Sequence, residues 1–136
     1  MNTPGDPLSD ETRLKLKVVS KLLLNLHGSL LASGKAEYEA TIGTIANANH
    51  YLQLVIDHPH FSWLRKLSSL IALLDEATSR MRPATEPDAQ ALLRETLLVL
   101  NFGDSDAEFN NQFRRGLAGN PQASTLHQAA LKSLDG

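Results

Sequence analysis

The chain has 136 residues, 42% hydrophobic and 21% charged, with a formal net charge of -2 and no cysteine. That length suits one domain with a substantial core. The missing thiol excludes disulfides, thiol catalysis and thiolate metal sites, and so small a net charge supplies no global pull toward nucleic acid or an anionic membrane.

Leucine is abundant while aromatic residues make up 5% of the chain, a balance that favours helices over strands. Residues 1–8 read as an N-terminal tail without the basic-then-apolar pattern of a secretion signal, and a bacterial-type cytoplasmic setting is the default expectation. Asp6-Pro7 and Ser9-Asp10-Glu11 offer a cap and first-turn acids for a first helix. Leu16, Val19, Leu23, Leu26 and Leu30 mark its main stripe. Val18, Leu22, Leu24 and Leu31 fall outside it, so this helix carries more apolar surface than one core contact requires. Helical phase continues through Gly34, Tyr38 and Thr41, which predicts one long helix to about Ile42, with Gly34 allowing close packing and Gly43 as the stop.

After a loop at 44–48, Asn47 or Asn49 caps a short helix ending near Asp57. Pro59 then opens a run to Arg82 that reads as one helix. Phe61, Leu64, Leu67, Ile71 and Leu74 form its inner stripe. Trp63, Leu70, Ala77 and Met81 broaden the arc, with Ser62, Lys66, Ser69, Glu76 and Arg80 opposite. Residues 82–87 read as a linker. The next helix spans about Pro87 to Asn101, with Leu92, Leu93, Thr96, Leu97 and Leu100 inward. Ser105-Asp106-Ala107-Glu108 matches a capping box ahead of Phe109, Phe113 and Leu117, and Asn120-Pro121 starts a last helix with Ala123, Leu126, Ala130 and Leu134 on one face.

The segment Leu52 to Glu76 contains Trp63-Leu64-Arg65, Leu67-Ser68, Leu70-Ile71 and Asp75-Glu76, and Leu26-His27 lies in the first helix. In these features the chain resembles a set of small all-helical bacterial proteins of uncharacterised function. The resemblance covers about half the chain and implies a helical bundle, with no activity, cofactor or catalytic residue attached.

Few residue patterns point to chemistry. Gly28 to Lys35 mimics a phosphate-binding loop, but the spacing is one residue too long and Ala36 stands where a magnesium-binding hydroxyl belongs. His50, His58 and His60 cluster near Asp57 and Tyr51, a set that suits a divalent metal, yet no His-x3-His or Glu-x-x-His pair shares a helix face. His27 falls in phase with Leu23, Leu30 and Leu31. It is either a hydrogen-bonded core histidine or, with Tyr38 and Trp63, a polar anchor in a ligand cavity. His127 reads either way, core or surface. Arg13, Lys17 and Lys21 make a basic stripe too short for strong nucleic-acid affinity, as are the pairs Arg65-Lys66 and Arg114-Arg115. No serine sits on a glycine elbow, and the adjacent Asp75 and Glu76 diverge by about 100° on a helix. Glu76 and Arg80 have the spacing of a helical ion pair.

The sequence therefore predicts an all-α, single-domain helical bundle of four main helices plus one or two short ones. The leading expectation is a non-enzymatic interaction or scaffold protein that self-associates, a homodimer first, with an unknown protein partner as a further possibility. No nucleic acid, membrane or cofactor is implied. His60, Trp63 and Arg65 are the candidate binding patch, with Arg65 either paired to an acid on another helix or presented to an anion or partner. A small-molecule cavity at His27, Tyr38 and Trp63, and a metal-dependent enzyme using His50 to His60, are the alternatives.

Overall fold

The computed structural model describes residues 5–135, among which there are seven helices and no strand. The first four residues of the expected 1–8 tail, and Gly136, lie outside the described residues. The helices are α1 (Asp10–Thr41), α2 (Ala48–Asp57), α3 (Pro59–Ser62), α4 (Arg65–Ala77), α5 (Glu86–Leu100), α6 (Ala107–Ala118) and α7 (Pro121–Leu134).

Helix α1 is the axis of the fold. Ser9 caps it by accepting from the Thr12 amide, and Asp10 and Glu11 complement the positive end of its dipole. It runs unbroken through Gly34, as the phase of Tyr38 and Thr41 predicts, and ends at a cap on Ile42. A Cβ at Gly34 would lie 3.4 Å from the Phe61 ring, an ordinary contact, so the packing there does not require glycine. Leu16, Val19, Leu23, Leu26 and Leu30 are all buried. Helices α4 and α7 pack along this stripe, with α3, α5 and α6 also touching α1. Cross-ties fix the directions. Ser20 Oγ donates to Asp75 Oδ1 at 2.5 Å and Arg13 Nη1 to the Thr78 carbonyl at 2.7 Å, so α4 runs antiparallel to α1. Asn120 Nδ2 donates to Ser29 O at 3.1 Å, anchoring the start of α7 halfway along α1.

Several sequence expectations need correction. The predicted helix from Pro59 to Arg82 is divided. It steps through Trp63 and Leu64, where Leu64 N–H donates to Phe61 O and Leu67 N–H to Leu64 O, a tighter i to i+3 winding. Both residues keep right-handed helical angles, so the apolar phase survives the step. The helix also ends early, at Ala77, which leaves Met81 91% exposed and outside the arc. With Arg80 off the helix, the Glu76–Arg80 pair does not form, and the ion pair among the described residues is Lys66 with Asp104, at 3.2 Å. Helix α5 starts at Glu86, within the expected 82–87 linker, capped by Thr85. Its Leu97 is exposed while Val99 is buried, so the inward face is rotated from the predicted one. The cap of α6 is Asp106, which accepts from the Glu108 and Phe109 amides, in place of Ser105.

Helix α2 differs from the others. Asn47 caps it, but none of its residues is buried, and its main contact is with α3. No helix among the described residues is long and apolar enough to cross a membrane.

Candidate functional site

Trp63 stands where α3 steps into α4, half-buried between the aromatic ring of Phe109 and the backbone of α6. Gly116 makes that approach possible. A Cβ there would fall 2.9 Å from Leu30 Cδ2 and 3.3 Å from the Trp63 ring, closer than packed carbon atoms tolerate. The indole N–H has no partner among the described residues. Two hollows flank the ring and share Pro59, Trp63 and Gln112 as common walls. One, of about 470 Å³, lies toward α1 and includes Glu37, His58, His60 and Arg115. The other, of about 530 Å³, lies toward α4 and includes Arg65, Lys66, Asp106 and Phe109. Glu37 and Arg115 are exposed and enter no ion pair among the described residues.

The three residues of the candidate patch are thus distributed around this groove. His60 lines the first hollow, Arg65 the second, and Trp63 both. Two of them already have partners. His60 Nε2–H donates to the Gly34 carbonyl at 2.8 Å, which ties α3 to α1. The Arg65 guanidinium donates to the Ile56 carbonyl at the end of α2, a backbone partner in place of the anticipated acid. That carbonyl sits in the last turn of α2, at the negative end of its dipole, where a cation is favoured.

His27 and Tyr38 are placed apart. His27 is half-buried on a separate hollow of about 160 Å³ beneath α2, lined by Val55, Ile56, Phe61, Leu64, Arg65 and Ser68. It has no hydrogen-bond partner among the described residues, and desolvation lowers its pKa, so the neutral ring is favoured. Tyr38 is buried in a ring cluster, 5.3 Å from His58, 5.8 Å from His60 and 5.7 Å from Phe61.

The histidine ring nitrogens between α1, α2 and α3 serve the backbone. His50 Nδ1 accepts from the Ala46 amide at 2.9 Å, and His58 Nδ1 accepts from the His60 amide at 3.1 Å while capping α3. Among the described residues no group of three or more His, Cys, Asp or Glu is placed to hold a metal ion.

One polar site escaped the sequence reading, and a second was left undecided by it. Glu86, 8% exposed, joins the N-terminal ends of α1 and α5. Its carboxylate accepts from Gln90 Nε2 at 2.8 Å, from the Ser9 amide at 2.9 Å and from Thr12 Oγ1 at 2.6 Å. The Gln90 bond first, then those from Ser9 and Thr12, hold its pKa down at about 2 against burial. Its partners in α1 are distant in sequence, so no local pattern announces it. The Thr85-x-x-Asp88 spacing does mark the adjoining cap, Thr85 Oγ1 accepting from the Asp88 amide at 3.3 Å. His127 is buried against Phe102 and Phe113, with Nε2–H donating to the Leu100 carbonyl at 2.7 Å. Periodicity alone left its side of α7 open.

Fold and groove together define, over the described residues, an all-helical protein with a tryptophan-walled groove. No family model, curated protein or solved structure matches the chain. The likeness to small bacterial helical proteins accordingly rests on Leu26-His27 and the segment Leu52 to Glu76 alone.

Proposed function

We propose that the protein is a non-enzymatic interaction protein, one helical bundle that self-associates through the outer side of α1. The observation that carries this reading is the exposure of Leu14 (64%) and Val18 (42%), one turn apart and opposite the buried Leu16 and Leu23. The other surplus residues of α1 divide. Leu22 and Leu31 are half-buried against the core, and Leu24 is 57% exposed in line with Leu31. Lys17 and Lys21 flank Leu14 and Val18, and their stems can extend an apolar contact while the ammonium groups stay wet. An isologous pair of such faces closes on itself, the commonest assembly of soluble chains. Sedimentation velocity at micromolar concentration tests it. Association is expected, and the double substitution Leu14→Glu with Val18→Glu should return a 14.9 kDa species of unchanged helicity. Wild-type protein that sediments only as that monomer removes the reading.

A second reading is favoured by the groove: small-molecule binding beside Trp63. Each hollow falls within the roughly 300–1,000 Å³ that ligand sites occupy, and Trp63 and Arg115 bring an unpaired donor and an unpaired cation to its walls. Native mass spectrometry of freshly purified protein should then detect a bound compound that is lost with Trp63→Ala. A metal-dependent reaction has the least support, because the Nδ1 lone pairs of His50 and His58 are engaged by backbone N–H groups and only His60 Nδ1 keeps a free one.

A further inference from the structure

We infer that the hollow between α1, α3 and α6 takes a zwitterion on an apolar body, a free amino acid or a short peptide, held by Glu37 at its ammonium and by Arg115 at its carboxylate. The inference rests on the reading of the Trp63 groove as a small-molecule site and names the chemistry that site selects. The hollow is about 470 Å³ and is lined on its apolar side by the buried Leu30 and Leu64 and the half-buried Trp63 ring. Ligand sites are commonly built this way, apolar for the most part with a few polar groups that fix orientation.

What the hollow recognises follows from which of its polar side chains remain unsatisfied. Ser33 Oγ donates to the Leu30 carbonyl at 3.1 Å and accepts from Asn120 Nδ2 at 3.3 Å. His58 Nδ1 accepts from the His60 amide, and His60 Nε2–H donates to the Gly34 carbonyl. Gln112 Nε2 donates to Glu108 Oε1 at 3.2 Å. These four side chains serve the fold. Glu37 on α1 and Arg115 on α6 are the acid and the base that line the hollow, and among the described residues neither side chain makes a hydrogen bond or an ion pair.

Two opposite charges on different helices, facing one hollow and unpaired with each other, call for a ligand that supplies both complements. A guanidinium donates two parallel N–H bonds to a carboxylate, and an ammonium donates to the carboxylate of Glu37. An anion alone would be drawn to Arg115 and opposed by Glu37, and a cation alone the reverse, whereas a zwitterion gains at both. The indole of Trp63 adds an unpartnered N–H and an apolar wall for an aliphatic side chain. The second hollow of the groove lacks this arrangement, because its charged side chains are engaged. Lys66 pairs with Asp104, Arg65 donates to the Ile56 carbonyl, Asp106 caps α6 and Glu108 accepts from Gln112. Glu37 and Arg115 are exposed, so water screens each contact and a preference of about tenfold per charge is the expected scale.

The chain has one tryptophan, so its emission reports on this hollow directly. Titration of the full chain with L-leucine and with L-leucyl-L-leucine, each against its N-acetyl and its C-terminal amide derivative, tests the inference. At least one of the two zwitterions should change Trp63 emission with a Kd at or below about 1 mM, and both of its blocked derivatives should bind at least about tenfold more weakly. Glu37→Gln should abolish the preference over the acetylated form and Arg115→Gln the preference over the amide. Both side chains are exposed, so helicity and melting temperature should stay unchanged in each variant. If either blocked form of the bound compound binds as tightly as its parent, the inference is overturned while a small-molecule groove stands. Zwitterion binding that neither substitution weakens overturns it equally. No response to either zwitterion up to about 10 mM also overturns it, and native mass spectrometry of the wild-type protein against Trp63→Ala then decides the groove reading by itself.

Discussion

The two ends of α1 are packed by different means. Over its N-terminal two-thirds, α1 presents leucine and valine to α4, α5, α6 and α7, and the buried residues there form one continuous apolar cluster. Past Gly34 it meets α3, whose Phe61 packs with Tyr38, His58 and His60, while α2 lies outermost on α3 with no residue buried. The first region gains its stability from apolar area removed from water, which is insensitive to pH. The second depends on the buried rings of Tyr38 and Phe61 and on a few hydrogen bonds to backbone. Unequal local stability across one chain is the consequence, with the outer lobe opening before the core.

The largest expected effect would break this contrast most directly. Leu67, fully buried on α4, should cost on the order of 2–5 kcal/mol when truncated to alanine. Leu52 on α2, 57% exposed, should cost less than about 0.5 kcal/mol under the same change. Urea unfolding followed by circular dichroism measures both. Equal losses would mean that α2 is as firmly held as the core.

Glu86 gives the next effect and separates the regions by pH. Glu86→Gln keeps the volume but turns an acceptor-only group into one that must also donate. With Ser9 N–H and Thr12 Oγ–H already donating to it, a loss of about 1–2 kcal/mol is expected. Its folded pKa of about 2 lies below the ordinary value of 4.5. The carboxylate therefore contributes stability that is complete above about 4.5 and disappears as pH falls from there toward 2. For His27 the folded pKa is lowered from 6.5, so the unfolded chain binds the extra proton first and stability declines as pH drops below that value. Acid titration of stability should accordingly show an upper limb from His27 and a lower limb that Glu86→Gln removes. A lower limb unchanged in the variant would assign it to other carboxylates.

Much of this arrangement was legible in the sequence, for identifiable reasons. The span of α1, the caps at Ser9, Asn47 and Asn120, and the inward stripe of Leu64, Leu67, Ile71 and Leu74 are local signals, and the structure agrees with them. The step at Trp63 and Leu64 was invisible because both residues stay right-handed and carry no glycine or proline to mark a change of winding. The exposure of Met81 followed from an early helix end at Ala77, which periodicity alone overran. Glu86 was illegible for a deeper reason: its donors in α1 come from a segment far away in sequence, and only the packed fold joins them. In the candidate site, His60, Trp63 and Arg65 were named from their neighbourhood in sequence. That the Trp63 ring divides them between two hollows depends on α6 closing over it at Gly116, which no spacing reveals.

Two helical glycines, Gly34 and Gly116, sharpen the comparison at a scale of about 1 kcal/mol. Both lie inside helices, where alanine gains about that much in propensity. At Gly34 the new Cβ would meet Phe61 at 3.4 Å, an ordinary contact, so Gly34→Ala should leave stability level or raise it slightly. At Gly116 it would meet buried Leu30 at 2.9 Å with Trp63 behind it, so Gly116→Ala should lower stability and shift tryptophan emission. Thermal melts with emission spectra distinguish the pair, and matching behaviour would show the Trp63 contact to be as yielding as the one at Phe61.

A small effect on global stability is also expected at Arg65, the side-chain tie from α4 to the end of α2. Its guanidinium is exposed and its partner is the Ile56 carbonyl, one of the terminal groups a helix leaves unsatisfied. Water can replace that donor, so Arg65→Ala should change the free energy of unfolding by less than about 1 kcal/mol. Locally the loss is larger in proportion, because α2 has no buried residue to compensate. Amide exchange at residues 55–58 should rise in the variant while exchange in α4 stays fixed. Arg65→Lys keeps the charge near the negative end of the α2 dipole but loses the planar fork, so it should restore part of the protection. An alanine variant with a markedly lower melting temperature would instead make Arg65 a clamp of the whole fold, and the division between core and lobe would fail at that point.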